Sequence, residues 1–136
     1  MKKLSLYVFL GFFFLSTSFA YYDERFINKP YCGYVTYPGG QVHKVISKFY
    51  INEFDYTVFG IYTTKELGVV LEGVFYKGKL KNNNNNLTIL TTDQLTHGKL
   101  NLKFSDNFNK FTGSWVGDDN KESLSWDGKS GEFCKE

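Results

Sequence analysis

Along His97–Ser105, HGKLNLKFS, polar and apolar or small residues alternate: Gly98, Leu100, Leu102 and Phe104 share one face, and Lys99, Asn101 and Lys103 share the other. A period of two is the pattern of a β-strand with one face in a core and the other in water. Asp106-Asn107 reads as a turn, Asn109–Val116 as the returning strand, and Gly117–Asn120 as a second turn. Lys121–Trp126 then runs to Asp127-Gly128, read as a two-residue hairpin. Upstream, Tyr31–Tyr37 ends at Pro38-Gly39-Gly40, and Val42–Ile51, Asp55–Thr63 and Gly68–Tyr76 follow as strands. Lys77-Gly78 reads as a turn into a further short strand. No stretch after residue 21 combines helical periodicity with caps. About eight or nine short strands at roughly ten-residue intervals predict an all-β antiparallel meander closed into an up-and-down barrel, with a β-sandwich as the alternative.

The first twenty residues stand apart from this pattern. Lys2-Lys3, the apolar run Leu4–Leu15 and Ser18-Phe19-Ala20 form the basic region, apolar region and small-x-small site of a secretory signal. The apolar run is too short to span a bilayer, so no stable membrane insertion is expected after cleavage. Residues 1–20 are thus expected to be removed, leaving 21–136 as a single barrel domain, extracellular or periplasmic. Lys2 and Lys3 account for the whole net charge of +2, so the remaining chain is formally neutral. Neutrality argues against nucleic acid as a partner, because such binding needs a net or clustered positive field. Lys77, Lys79 and Lys81 form the one local basic run, and alternate spacing on a strand makes them a solvated face.

Secretion changes the meaning of two further features. Cys32 and Cys134, near the two ends of the domain, are expected to form one disulfide. A bridge closing so long a loop contributes about 4–5 kcal/mol on the chain-entropy argument. Asn82–Asn86 is a run of five asparagines, read as an exposed loop between strands. Its last member opens Asn86-Leu87-Thr88, a sequon that makes Asn86 a glycosylation candidate in a eukaryotic secretory setting.

An apolar-x-Gly-x-aromatic cluster recurs: VFGIY at Val58–Tyr62, LEGVF at Leu71–Phe75 and FTGSW at Phe111–Trp115. Alternation places both flanking residues and the glycine of each copy on one face. Glycine there lets the sheet coil and leaves room for a large ring from a neighbouring strand. With these repeats, the run from Gly68 to Gly128 resembles a set of uncharacterised small secreted or periplasmic β-proteins. In those, glycine-x-aromatic hairpins alternate with F-x-G-x-W units, and their expected architecture is similar to lipocalins and avidin. Two readings of the rings stay open. They fill the barrel, or Tyr62, Phe75, Trp115 and Trp126 line a ligand cavity as apolar stacking surfaces.

Chemistry beyond stacking finds little support. Asp106, Asp118, Asp119 and Asp127 fall in turns, and Glu72 points away from Leu71 and Phe75 toward solvent. Glu53 and Asp55 are explained by a turn as well as by a calcium or acid pair. Gly117–Asn120 lacks the alternating ligands of a calcium loop. His43 and His97 begin strands with no nucleophile motif beside them. The expectation is a secreted, non-enzymatic binding or carrier protein for a small apolar molecule or a glycan, without catalytic residues, metal or cofactor. The alternative is an extracellular interaction protein, such as an inhibitor or matrix component, with a filled core and an exposed patch at Tyr21, Tyr22, Tyr34 and Tyr37. A hydrolase is the least supported.

Overall fold

In the computed structural model, which describes residues 24–66, 68–81, 85–119 and 123–131, the alternation at His97–Phe104 is a strand with every second side chain buried. The strands are β1 (Pro30–Thr36), β2 (Val42–Ile51), β3 (Val58–Glu66), β4 (Val69–Lys81), β5 (Asn86–Thr92), β6 (His97–Phe104), β7 (Lys110–Gly117) and β8 (Ser123–Ser130). Each pairs antiparallel with the next, and β1 pairs with β8, closing an eight-stranded up-and-down barrel and excluding the sandwich. The segment 1–20, Tyr21, Tyr22, Cys134 and residues 82–84 of the asparagine run lie outside the described residues.

Two local expectations are corrected. Lys77-Gly78 makes no turn: β4 runs unbroken through it, with a register shift between Tyr76 and Lys79 and a left-handed φ of 52° at Lys77. The extra residue is absorbed as a bulge, and Lys77, Lys79 and Lys81 all remain exposed. Asp127-Gly128 is likewise no hairpin, since both residues lie inside β8. There Asp127 Oδ1 accepts the Tyr34 N–H of β1 at 2.9 Å, so a side chain supplements the ladder at the seam that closes the barrel. Gly128 faces inward, where a Cβ would lie 2.6 Å from Phe111 Cε2. Ahead of β1, Glu24–Phe26 forms a single 3-10 turn, too short to carry a helical periodicity.

In this topology the β1–β2, β3–β4, β5–β6 and β7–β8 connections share one end, here called the mouth, and the intervening connections share the base. The base is sealed with rings. Phe26 of the 3-10 turn is fully buried, 5.3 Å from Phe104 and 5.8 Å from Phe108, centroid to centroid. Phe49 sits 6.0 Å from both Phe104 and Phe111, joining rings from opposite walls. Tyr31 Oη donates to the Phe108 carbonyl at 2.6 Å and holds the β6–β7 turn over the base. Phe108 takes a left-handed φ of 57° there. Such a conformation costs about 1–2 kcal/mol, which the full burial of its ring offsets.

Candidate functional site

Toward the mouth the barrel axis carries larger rings with polar edges. Trp115 (β7) and Trp126 (β8) are the chain's two tryptophans, and both face inward with Tyr62 (β3). Inward-facing glycines make room for them: a Cβ at Gly73 would stand 2.0 Å from Tyr62 Cζ, and one at Gly98 would stand 2.4 Å from Trp115 Cε2. The expected ring-over-glycine packing therefore holds at these sites. At Gly113 the neighbour is the Asn101 carbonyl, 2.4 Å from a Cβ position, so that glycine serves close backbone approach between β6 and β7.

A buried indole or phenol needs a partner for its N–H or O–H. Trp115 Nε1 donates to Thr91 Oγ1 at 2.7 Å, and Trp126 Nε1 donates to Ser47 Oγ at 3.1 Å. Ser47 and Thr91 are the buried polar residues among those described, and each receives an indole. Tyr62 Oη donates to Asp93 Oδ2 at 2.7 Å. Burial first, and then the adjacent Asp93 carboxylate, raise the Tyr62 phenol well above its ordinary range, so it stays protonated. Asp93 Oδ1 also takes the backbone N–H groups of Leu95 and Thr96 at 2.8 and 2.9 Å, tying the β5–β6 loop to the barrel interior.

Between these groups lies a cavity of about 60 Å³, open at the mouth. Tyr62, Trp115 and Trp126 wall it, Asp93 and His43 contribute at its edge, and Leu71 and Leu95 form an apolar rim. Of the four residues expected to line a ligand, three therefore meet at one cavity. The fourth, Phe75, lies beneath it, buried at 4.9 Å from Tyr62 and 5.8 Å from Trp126. Sequence reasoning passes over Asp93 and Leu95. The available signal was the Asp-x-x-Thr spacing of Asp93–Thr96, which marks a side-chain-capped turn between strands.

The other sequence candidates are dispersed. Asn86 is the first residue of β5, half-buried on the outward side of its alternation with Leu87. Cys32 is on β1, paired across the seam with Lys129. His43 lies edge-on to Tyr37 at 5.3 Å, while the His97 ring shares a hydrogen bond with Thr92 Oγ1. Glu72 is exposed, as expected. Asp55 caps its own turn, taking the Thr57 hydroxyl at 2.7 Å and the Thr57 N–H at 3.0 Å, which hold its carboxyl below the ordinary value. Tyr34 is exposed, but Tyr37 is partly buried against the core, so the two do not form one exposed patch.

The closed antiparallel meander, with its packed base and open mouth, defines an up-and-down β-barrel of lipocalin-like architecture. No family model and no curated protein matches the chain. Among solved structures, a redesigned β-barrel, mFAP1, bound to DFHBI, is similar to it in fold, with a TM-score of 0.63 and 14% identity. The match covers 78% of this chain and 95% of that one.

Proposed function

We propose that this is a secreted, non-enzymatic binding or carrier protein that takes the end of a small, largely apolar molecule into the barrel mouth. The observation that carries this reading is the asymmetry of the interior: rings seal the base, while the mouth keeps a cavity among Tyr62, Trp115 and Trp126. That mFAP1, a barrel similar in fold, is solved with DFHBI bound supports small-molecule binding as a use of this architecture. The cavity is roughly four times the ~15 Å³ that one water needs, so it suits a head group of a few atoms rather than a whole drug-sized ligand. Outward lysines at positions 99 and 103, with Asn101 between them, support a barrel bathed in water.

Both tryptophans wall the cavity, so their emission reports on the mouth. Titration with a neutral apolar dye such as Nile red should give a single saturable site and a change in tryptophan emission, and Trp126→Leu should weaken it. Absence of dye binding, together with no co-purifying small molecule in native mass spectrometry, would sink the proposal.

Secretion rests on the signal-like residues 1–20, and the Cys32–Cys134 bridge and a glycan on Asn86 are proposed with it. The outward position of Asn86 is compatible with the glycan. Peptide mapping of secreted material tests both: two free thiols, or an unmodified Asn86 from a eukaryotic host, would refute the respective proposal. The second reading, an extracellular interaction protein, is favoured by one observation. Phe59, Ile61 and Val74, on the outer face of β3 and β4, are 44%, 50% and 44% exposed and form a short apolar strip.

A further inference from the structure

The cavity is asymmetric in hydrogen-bonding capacity as well as in shape. The N–H groups of Trp115 and Trp126 are donated into the barrel wall, and the O–H of Tyr62 is donated to Asp93 of the β5–β6 loop. With those groups engaged, the three residues offer the cavity aromatic carbon surface rather than free donors. Among the described lining residues Asp93 is the one carboxylate and His43 the one imidazole, and none is a lysine or arginine. Its Oδ1 is engaged by the loop N–H groups of Leu95 and Thr96, while its Oδ2 accepts from Tyr62 and, at 3.3 Å, from Thr96. These bonds fix the carboxylate at the edge of a ring-walled cavity. An anion entering would meet a carboxylate and ring faces with no donor from the three rings to answer it. A cation would meet complementary charge and ring quadrupoles.

We propose that the mouth selects a small organic cation, an alkylammonium or quaternary ammonium head group, with any apolar remainder of the ligand lying over the rim at Leu71 and Leu95. This rests on the reading of the mouth as a small-molecule site and adds the chemistry of the ligand to it. Ring walls supply attraction that does not require a hydrogen-bonding ligand, so a fully methylated ammonium satisfies the site as well as a primary amine. The exposed rim residue Leu95 and the half-buried Leu71 fit an apolar extension that leaves the cavity without re-entering water fully.

The test uses three molecules of nearly equal shape that differ in charge: choline, 3,3-dimethylbutan-1-ol and 3,3-dimethylbutanoate. Each is titrated into the purified protein and followed by tryptophan emission and by heat. The expected order is choline first, by about tenfold over the alcohol, with the carboxylate weakest. An alcohol or carboxylate that binds as tightly as choline overturns the proposal while leaving the mouth a binding site. Silence from all three with Nile red still bound also overturns it, whereas silence from all four removes the reading beneath it as well. Asp93→Asn should shrink the preference for choline over the alcohol, and an unchanged preference in the folded variant overturns the proposal. Because Asp93 also anchors a loop, Trp126→Leu provides a second variant. It should weaken choline more than the alcohol, and an equal loss for both counts against the proposal.

Discussion

The base and the mouth of this barrel are built by the same alternation and end up differently filled. At the base the inward positions are held mostly by phenylalanine. Phe26, Phe49, Phe104, Phe108 and Phe111 meet from the 3-10 turn, two walls and a loop, each ring within 6.4 Å of another. A phenylalanine has no polar edge to satisfy, so each ring settles wherever contact is best. At the mouth the corresponding positions carry Tyr62, Trp115 and Trp126, whose polar edges are pinned by Asp93, Thr91 and Ser47. A ring oriented by a hydrogen bond cannot also rotate to close a void. The contrast is one of number: three pinned polar-edged rings stand around the cavity at the mouth, whereas at the sealed base Tyr31 alone carries a polar edge among the phenylalanines it packs against.

The largest expected effect lies at the base. Phe104→Ala removes a ring that touches Phe26, Phe49, Phe108 and Phe111, and should cost about 3–5 kcal/mol in urea or thermal unfolding. Dye binding per folded molecule should survive it; losing binding while fold is retained would break the division into two regions. Next, Gly73→Ala drives a methyl into the Tyr62 ring and should cost about 1–3 kcal/mol. It should also shift tryptophan emission, because the displaced ring moves toward Trp126, which stands 5.0 Å away. An unchanged spectrum would mean the wall relaxes outward instead.

A smaller effect is expected for Tyr62→Phe, about 1 kcal/mol, since Asp93 keeps its loop partners when the phenol is lost. This variant also sharpens the pH dependence. The phenol's pKa in the folded chain is raised above its ordinary value of 10.0, so the folded state holds the proton more tightly than the unfolded state. The resulting stability is fully present below pH 10 and falls as pH rises beyond it. In the variant, alkaline unfolding profiles should lose that one-proton component; identical profiles would contradict the buried, Asp93-bonded phenol. Smallest of all, Leu95→Ala at the 69% exposed rim should change stability by less than about 0.5 kcal/mol, while measurably altering dye affinity. A large stability loss would place Leu95 in the core rather than on the rim.

Two dipeptides show how pairing outweighs a local signal. Lys77-Gly78 and Asp127-Gly128 carry the local signature of a turn, yet both lie within strands. What overrides the signature is pairing on both sides: β4 bonds to β3 and β5 along its length, and β8 bonds to β7 and β1 across the seam. The Asp93–Tyr62 bond, unlike the Asp-x-x-Thr turn that holds Asp93, has no local signature for a related reason. The two residues are 31 positions apart, and nothing near either residue announces the bond. Tyr62, Trp115 and Trp126, in contrast, are legible in the sequence, because an aromatic on the same strand face as a nearby glycine is a local pattern.

The sequence by itself determined the all-β meander, the inward direction of the repeated rings and the glycines that admit them. These follow from a period of two and from the absence of a side chain, both of which act within a few residues. Only the tertiary structure decided which end of the barrel is full. That outcome depends on Phe26, Phe49 and Phe104 meeting across the axis and on Ser47 and Thr91 standing opposite two indoles. Packing between non-adjacent strands is a property of closure, and no stretch of chain contains it.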